Sequence, residues 1–423
     1  MRLRAKHLVG FWMLPLFSVA ALGAAGSDPR LLDAVKNRDE DALRALLKQK
    51  IDVNVAEGDG ATALHWAVHR DDLDAATLLI SAGARVNAAN DYGVTPLSLA
   101  CTNRNSAMVE KLLAAGATPT ATLSTGETVL MTCARTGHPD TVKALLARGA
   151  NVNAKETRQG QTALMWAAAH GYAEVVRALI EGGADVRARS NVSRVFVASG
   201  LKGELRGTSA GFDYDRGGFT PLLFAARQGS IETARLLLVA GAEVDDAAAD
   251  GASPLVVASL SGHGKLGAFL LENGADPNAA GAGYTALHAA VLRGDLELVE
   301  ALVARGANPN AQLTKGTPVP RLGPQWALPA TLAGVTPYLL AAKFAAAEIM
   351  RVLRIGGADP KLTMKDGTTA LMAAAGVGSP SRDRRMRILA VESLGGDDER
   401  RTLEAVKVAI EGGADANASN AAG

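Results

Sequence analysis

Seven histidines and two cysteines are the first places to look for chemistry in this 423-residue chain. A helical zinc site needs two histidines four residues apart with a glutamate beside the first. No histidine pair here combines that spacing with a neighbouring glutamate. Gly281-Ala282-Gly283-Tyr284-Thr285-Ala286 fits a relaxed dinucleotide fingerprint, but no strand-rich βαβ unit surrounds it to aim a helix at a pyrophosphate. Gly262-His263-Gly264-Lys265-Leu266 lacks the spacing and the Ser/Thr of a phosphate loop. There is no G-x-S-x-G nucleophile elbow. Asn191-Val192-Ser193 is a formal glycosylation sequon that has no meaning in a bacterial host. The residue types that do chemistry form no coherent constellation, so we expect no catalytic, cofactor or metal site.

The elements that would have to position such residues explain why. A four-residue phrase recurs as TALH at Thr62, TPLS at Thr95, TVLM at Thr128, TALM at Thr162 and TPLL at Thr220. It continues as SPLV at Ser253, TALH at Thr285, TPYL at Thr336 and TALM at Thr369. The starts lie 33, 33, 34, 58, 33, 32, 51 and 33 residues apart. A leucine follows two places on (Tyr338 in the eighth copy) and an alanine five places on (Cys133 in the third). Residues three apart share a helical face, and the small one lets neighbouring helices approach. Thr or Ser suits a helix N-cap, and Pro96, Pro221, Pro254 and Pro337 follow it where a missing N–H costs nothing. Each phrase should therefore start a helix.

A second ladder, Gly83, Gly116, Gly149, Gly183, Gly241, Gly274, Gly306, Gly357 and Gly413, follows apolar pairs such as Leu112–Leu113. It reads as the left-handed end of a second helix. Polar turns rich in Asn and Asp come next. The unit is helix, turn, helix and an extended finger, and such units bury a core only by stacking.

A period of about 33 residues opened by a T-P-L-H-like phrase resembles the ankyrin repeat family. The likeness covers nearly all the chain after residue 27. It implies an all-α solenoid of stacked helix-turn-helix units with finger loops, elongated and curved, that acts as a binding surface. It also implies that His65 and His288, at the fourth place of the phrase, are structural. His138 and His263 occupy another position usual in the family. Cys101 and Cys133 fall on small-residue positions of adjacent repeats and read as buried fillers. Adjacent repeats stand about 10 Å apart by helix-packing distances, whereas a bridge wants Cα atoms within about 7 Å, so no disulfide is expected.

Residues 1–26 resemble a bacterial secretory signal: Arg2, Arg4 and Lys6, a mainly apolar Leu8–Leu22, then small residues at Gly23–Gly26. An uncleaved anchor is the alternative, since the apolar stretch is near the minimum for a span, but Pro15 and the small-residue exit favour cleavage. Export to the periplasm or the exterior follows as an expectation. Without those residues the balance is 41 Lys+Arg against 43 Asp+Glu, or −2, which argues against nucleic acid as the main ligand.

The expected organisation is a signal at 1–26, a capping repeat at 27–59, repeats 1–4 at 60–186 and an insertion loop at 187–211. Repeats 5–7 at 212–310, a second insertion loop at 311–331 and repeats 8–9 at 332–423 complete it. The last block carries a charged insertion at 377–401 and the start of a further repeat. That repeat ending just before Gly423 has no polar outer face, which suggests truncation or docking on something.

By position in the family, partners dock on the concave face made by finger tips and exposed first-helix residues. This nominates Asp59, His69, Arg70, Asp91, Tyr92, Arg135, Arg158, His170, Arg216, Phe219, Arg227, Tyr284 and Arg293, with Trp326 in the second insertion. Trp66 and Trp166 read as inter-repeat core. The expected function is a monomeric scaffold that binds a partner protein in the cell envelope, with no nucleic acid and no membrane insertion after cleavage. The alternative is the recognition arm of a larger exported enzyme or redox protein continuing past residue 423. Glycan binding has little support, because stacking aromatics are sparse.

Overall fold

A computed structural model describes residues 29–198, 211–317, 328, 332–376 and 397–421. The expected signal at 1–26, residues 199–210 of the first insertion, most of the second with Trp326, and most of the charged third lie outside the described residues. The helices pair along the chain: α1 (Arg30–Lys36) with α2 (Glu40–Lys48), α3 (Ala63–His69) with α4 (Leu73–Ser81), and α5 (Pro96–Asn103) with α6 (Ser106–Ala114). Then α7 (Val129–Thr136) pairs with α8 (Pro139–Ala147), and α9 (Ala163–His170) with α10 (Ala173–Glu181). After strands β1 (Val192–Ala198) and β2 (Gly211–Gly217) come α11 (Pro221–Gln228) with α12 (Ile231–Val239), and α13 (Pro254–Ser261) with α14 (Gly264–Glu272). The remainder are α15 (Ala286–Arg293) with α16 (Leu296–Ala304), α17 (Pro337–Lys343) with α18 (Ala347–Ile355), and α19 (Ala370–Ala374) with α20 (Asp397–Glu411). Each first helix packs on its own partner and on the first helices before and after it.

The Thr phrase caps these helices as its chemistry requires. Thr95, Thr128, Thr162, Thr220, Ser253, Thr285, Thr336 and Thr369 each accept from the backbone N–H three residues on. In α3 and α15 the imidazole completes the cap. Thr62 N donates to His65 Nδ1 at 3.1 Å, and Thr285 N to His288 Nδ1 at 3.3 Å. An accepting Nδ1 leaves the proton on Nε2. Nε2 then reaches the next finger, at Val94 O (3.0 Å) and Val335 O (3.2 Å). The core is one continuous cluster of Leu, Ala and Val running through the described repeats. Trp66 and Trp166 are half-buried against it. Tyr338 fills a leucine place at 1% exposure, and its hydroxyl has no hydrogen-bond partner among the described residues. Arg354, in an otherwise apolar column, reaches Glu411 of α20 at 3.9 Å.

All nine glycines of the second ladder have φ between 81° and 94°. A further left-handed position closes the helix-helix turn of the cap and of the first eight repeats, nine residues after the phrase begins in the latter. Gly137, Gly171, Gly229, Gly262 and Gly294 hold it in the middle of the array, but Arg38, Asp71, Arg104 and Ala345 hold it elsewhere.

Two expectations are corrected. Cys101 and Cys133 form a disulfide with Cα atoms 4.8 Å apart. The 10 Å figure is a separation of helix axes; facing Cα atoms lie nearer by two helix radii of ~2.3 Å each, which leaves about 5 Å. The first insertion is not a loop but an antiparallel hairpin, registered from Val192↔Gly217 to Ala198↔Gly211. It therefore extends past the expected boundary at 211 and adds a small sheet to an otherwise helical chain. β-Branched and aromatic residues suit strands, and here Val195 faces Tyr214, while Arg194 pairs with Asp215 at 3.0 Å. Among the described residues no helix is long and apolar enough to cross a membrane.

Candidate protein-binding face

The face lined by fingers and first helices is held by bonds between repeats. Asp91 N donates to Asp59 O at 2.9 Å, Ser124 N to Tyr92 O at 3.3 Å, Thr157 N to Thr125 O at 3.3 Å and Asn191 N to Gln159 O at 2.7 Å. These four bonds join the tips from Asp59 to Asn191 in series and fix their spacing.

The nominated residues fall unevenly on this frame. Tyr92 is 56% exposed at a tip, beside exposed Asp91. Asp59 is half-buried and caps its own turn at Ala61 N, 3.0 Å away. His69 is exposed and edge-on to Trp66, while the carbonyl of Arg70 accepts from Arg38. Arg158 is an exposed tip residue. Arg135 lies 5.2 Å from the Trp166 ring and 3.4 Å from Glu127. His170 stacks on Tyr172 with centroids 5.5 Å apart. Arg227 sits over Phe219 and Phe224, at 5.5 Å and 5.0 Å from the ring centres. Arg293 is half-buried, with Nε 2.7 Å from Leu260 O.

Tyr284 does not belong to the face. It is 4% exposed, and burial raises its hydroxyl well above the ordinary phenol range, so it stays protonated. In this column, just before the Thr or Ser of each phrase, Ala61, Ala252 and Val335 are buried as Tyr284 is, whereas Val94, Glu127 and Gln161 are half-buried. Phe219 is half-buried in the same column, with Arg227 over its ring.

Charge accumulates in the middle. Partial burial holds His170 below the ordinary imidazole range, and the nearby charges of Arg135 and then Arg104 add to it. Arg227 is lowered by burial against its rings, then by Arg216 of β2. Arg104 is an exposed member of this group that sequence reasoning passed over. Its signal was available: an arginine at the ninth place, where five other repeats have glycine. Among the described residues no group of three or more His, Cys, Asp or Glu side chains could hold a metal ion.

A family description, ankyrin repeats (3 copies), matches residues 31–122, 119–190, 204–281 and 222–313. The chain belongs to the ankyrin repeat family. An ankyrin repeat and KH domain-containing protein of Caenorhabditis briggsae is 43% identical over 61 residues. That stretch is 14% of this chain, and the chain spans only 2% of that much longer protein. The crystal structure of the human ASB11 ankyrin repeat domain is similar at 24% identity, with a TM-score of 0.44. The match covers 67% of this chain and all of that one. Ankyrin repeats are in general protein–protein interaction modules.

Proposed function

We propose that this array is a scaffold that binds a partner protein on its concave face, outside the cytoplasm in the cell envelope. The observation that carries the reading is the fixed row of tips and first-helix ends, which presents Tyr92, Arg135, His170 and Arg227 on a hydrogen-bonded backbone. A surface ordered before binding loses little entropy when a partner docks, and Tyr and Arg are the side chains that anchor interfaces. Export is supported by the basic, apolar and small-residue order of residues 1–26 and by the Cys101–Cys133 bridge, since disulfides persist in oxidising compartments.

The test is affinity capture from envelope extracts with the full chain and with a Tyr92→Ala/Phe219→Ala/Arg227→Ala variant. The variant should lose a partner that the native chain holds, with helical circular dichroism unchanged. Equal capture by both would overturn the concave-face reading. A chain found wholly in the cytoplasm, with its cysteines reduced, would overturn the envelope assignment.

A further inference from the structure

We infer that the middle of the concave face takes an acidic, extended segment of a partner protein, its carboxylates seated against Arg104, Arg135, His170 and Arg227. The inference rests on the concave-face reading and adds the chemistry of the partner.

The four groups stand at the C-terminal ends of α5, α7, α9 and α11. These helices pack side by side in that order, so the groups form one row. Cations at helix C-termini often do no more than complement the helix dipole. Three features go beyond that. First, the row is concentrated: after burial, which is the larger cause in both, Arg135 and Arg104 lower His170, and Arg216 of the hairpin lowers Arg227. Like charges gathered this closely oppose folding and favour an anion, while the whole chain is nearly neutral at +1. Second, the row is under-compensated. Arg135 has Glu127 at 3.4 Å, but Arg104 and Arg227 have no carboxylate partner among the described residues. Arg227 is instead spread over two phenylalanine rings, which fixes its plane and leaves its edge for a forked acceptor.

Third, the chain contains its own example of what such an arrangement holds. Lys36, at the end of α1, lies 4.6 Å from the Trp66 ring centre. The carboxylate of Glu57 joins the two, paired with Lys36 and accepting from Trp66 Nε1 at 2.9 Å. Three repeats on, Arg135 over Trp166 repeats the cation and the indole in the same register. There the finger acid is Glu156, and it turns back on its own tip, accepting from Arg158 N (2.6 Å), Gln159 N (2.7 Å) and Gln161 N (3.0 Å). Trp166 Nε1 is buried with no acceptor among the described residues, so an incoming carboxylate would meet the exposed Arg135 guanidinium and not the indole. The internal example shows a carboxylate as the anion beside this cation–indole pair, and this favours a carboxylate over a phosphate.

A labelled peptide of about twelve residues alternating Glu and Gly would span ~40 Å, enough to cross four helices about 10 Å apart. Fluorescence anisotropy with the full chain would compare it with its Gln counterpart and with a single-stranded oligonucleotide of equal charge. The Glu peptide should bind at least ~10-fold more tightly than the Gln peptide and weaken as salt is added. Arg104→Gln/Arg135→Gln/Arg227→Gln should lose about tenfold or more, and the corresponding triple Lys variant should retain most of the binding, as charge attraction requires. If the Gln variant fails to fold, the single Arg104→Glu change decides, since that side chain makes no polar contact among the described residues. It should weaken the Glu peptide. Equal binding of Glu and Gln peptides, or indifference to these changes, would overturn the inference while leaving the capture result standing. Tighter binding of the oligonucleotide would assign the row to phosphate and overturn it as well. Capture indifferent to the concave-face variant would instead remove the reading beneath it.

Discussion

Asn310 Nδ2 donates to the carbonyl of Gly357 at 2.9 Å across 47 residues of sequence. The same bond spans 29 residues at Asn54–Gly83 and Asn87–Gly116, and 30 at Asn153–Gly183. His288 likewise reaches Val335 over 47 residues, where His65 reaches Val94 over 29. Repeats seven and eight therefore stack in the ordinary register, and the residues of the second insertion leave that stack uninterrupted. Where the turn asparagine is replaced by Arg187, its Nε takes over, donating to Gly241 O at 3.0 Å beyond the hairpin.

The Cys101–Cys133 bridge should stabilise the array against urea. Closing a loop across a separation of 32 residues removes unfolded-state entropy worth ~3–4 kcal/mol in the chain-entropy account. Cys101→Ala/Cys133→Ala, or the native chain under reductant, should unfold at lower urea than the oxidised chain. Coincident curves, or two free thiols in the native chain on titration under non-reducing conditions, would exclude the bridge as a stabilising element.

Acid should weaken the stack through its capping histidines. Burial holds His288 down to about 4, against 6.5 unfolded, and lowers His65 in the same direction. The unfolded chain then binds more protons than the folded one between about pH 6.5 and 4, so stability falls as pH drops through that window and the loss levels off below it. A shift of this size corresponds to at most ~3 kcal/mol from His288. His288→Gln should flatten the slope of urea stability against pH between 6.5 and 4, and an unaltered slope would show that His288 is not its source.

Ala345 holds φ 52° at the turn position where five repeats have glycine. A left-handed conformation costs an L-residue ~1–2 kcal/mol, less the extra unfolded-state entropy of glycine, ~0.5–1 kcal/mol. Ala345→Gly should therefore raise stability by a few tenths to ~1 kcal/mol. A destabilised variant in urea titration would show that the alanine methyl contributes packing greater than the strain.

Much of the scaffold was legible because its signals are local. A threonine accepting from the N–H three residues on, and a glycine with positive φ after a helix, need only neighbours in sequence to be read. The contacts between repeats were less legible. The disulfide depends on how near two facing backbones come, which an axis-to-axis distance overstates. Tyr284 and Phe219 share one column, yet one is sealed in the stack and the other half-open, because the surroundings of each finger differ. The hairpin was hidden by irregular alternation: Val195-Phe196-Val197 is apolar on both faces of a strand. The basic row emerged only when α5, α7, α9 and α11 were set side by side, since its members stand at slightly different places in their repeats.

The covalent link between α5 and α7 also bears on how the chain would yield to a pull on its ends. A linear stack can be peeled one unit at a time, each released unit adding its contour length. The bridge takes its 32-residue separation out of the load path, and at ~3.5 Å per residue about 110 Å of extension is withheld until the sulfur–sulfur bond is reduced. Tension alone would lengthen the rest of the array and leave this span coiled, so reach becomes a property that thiol chemistry can set.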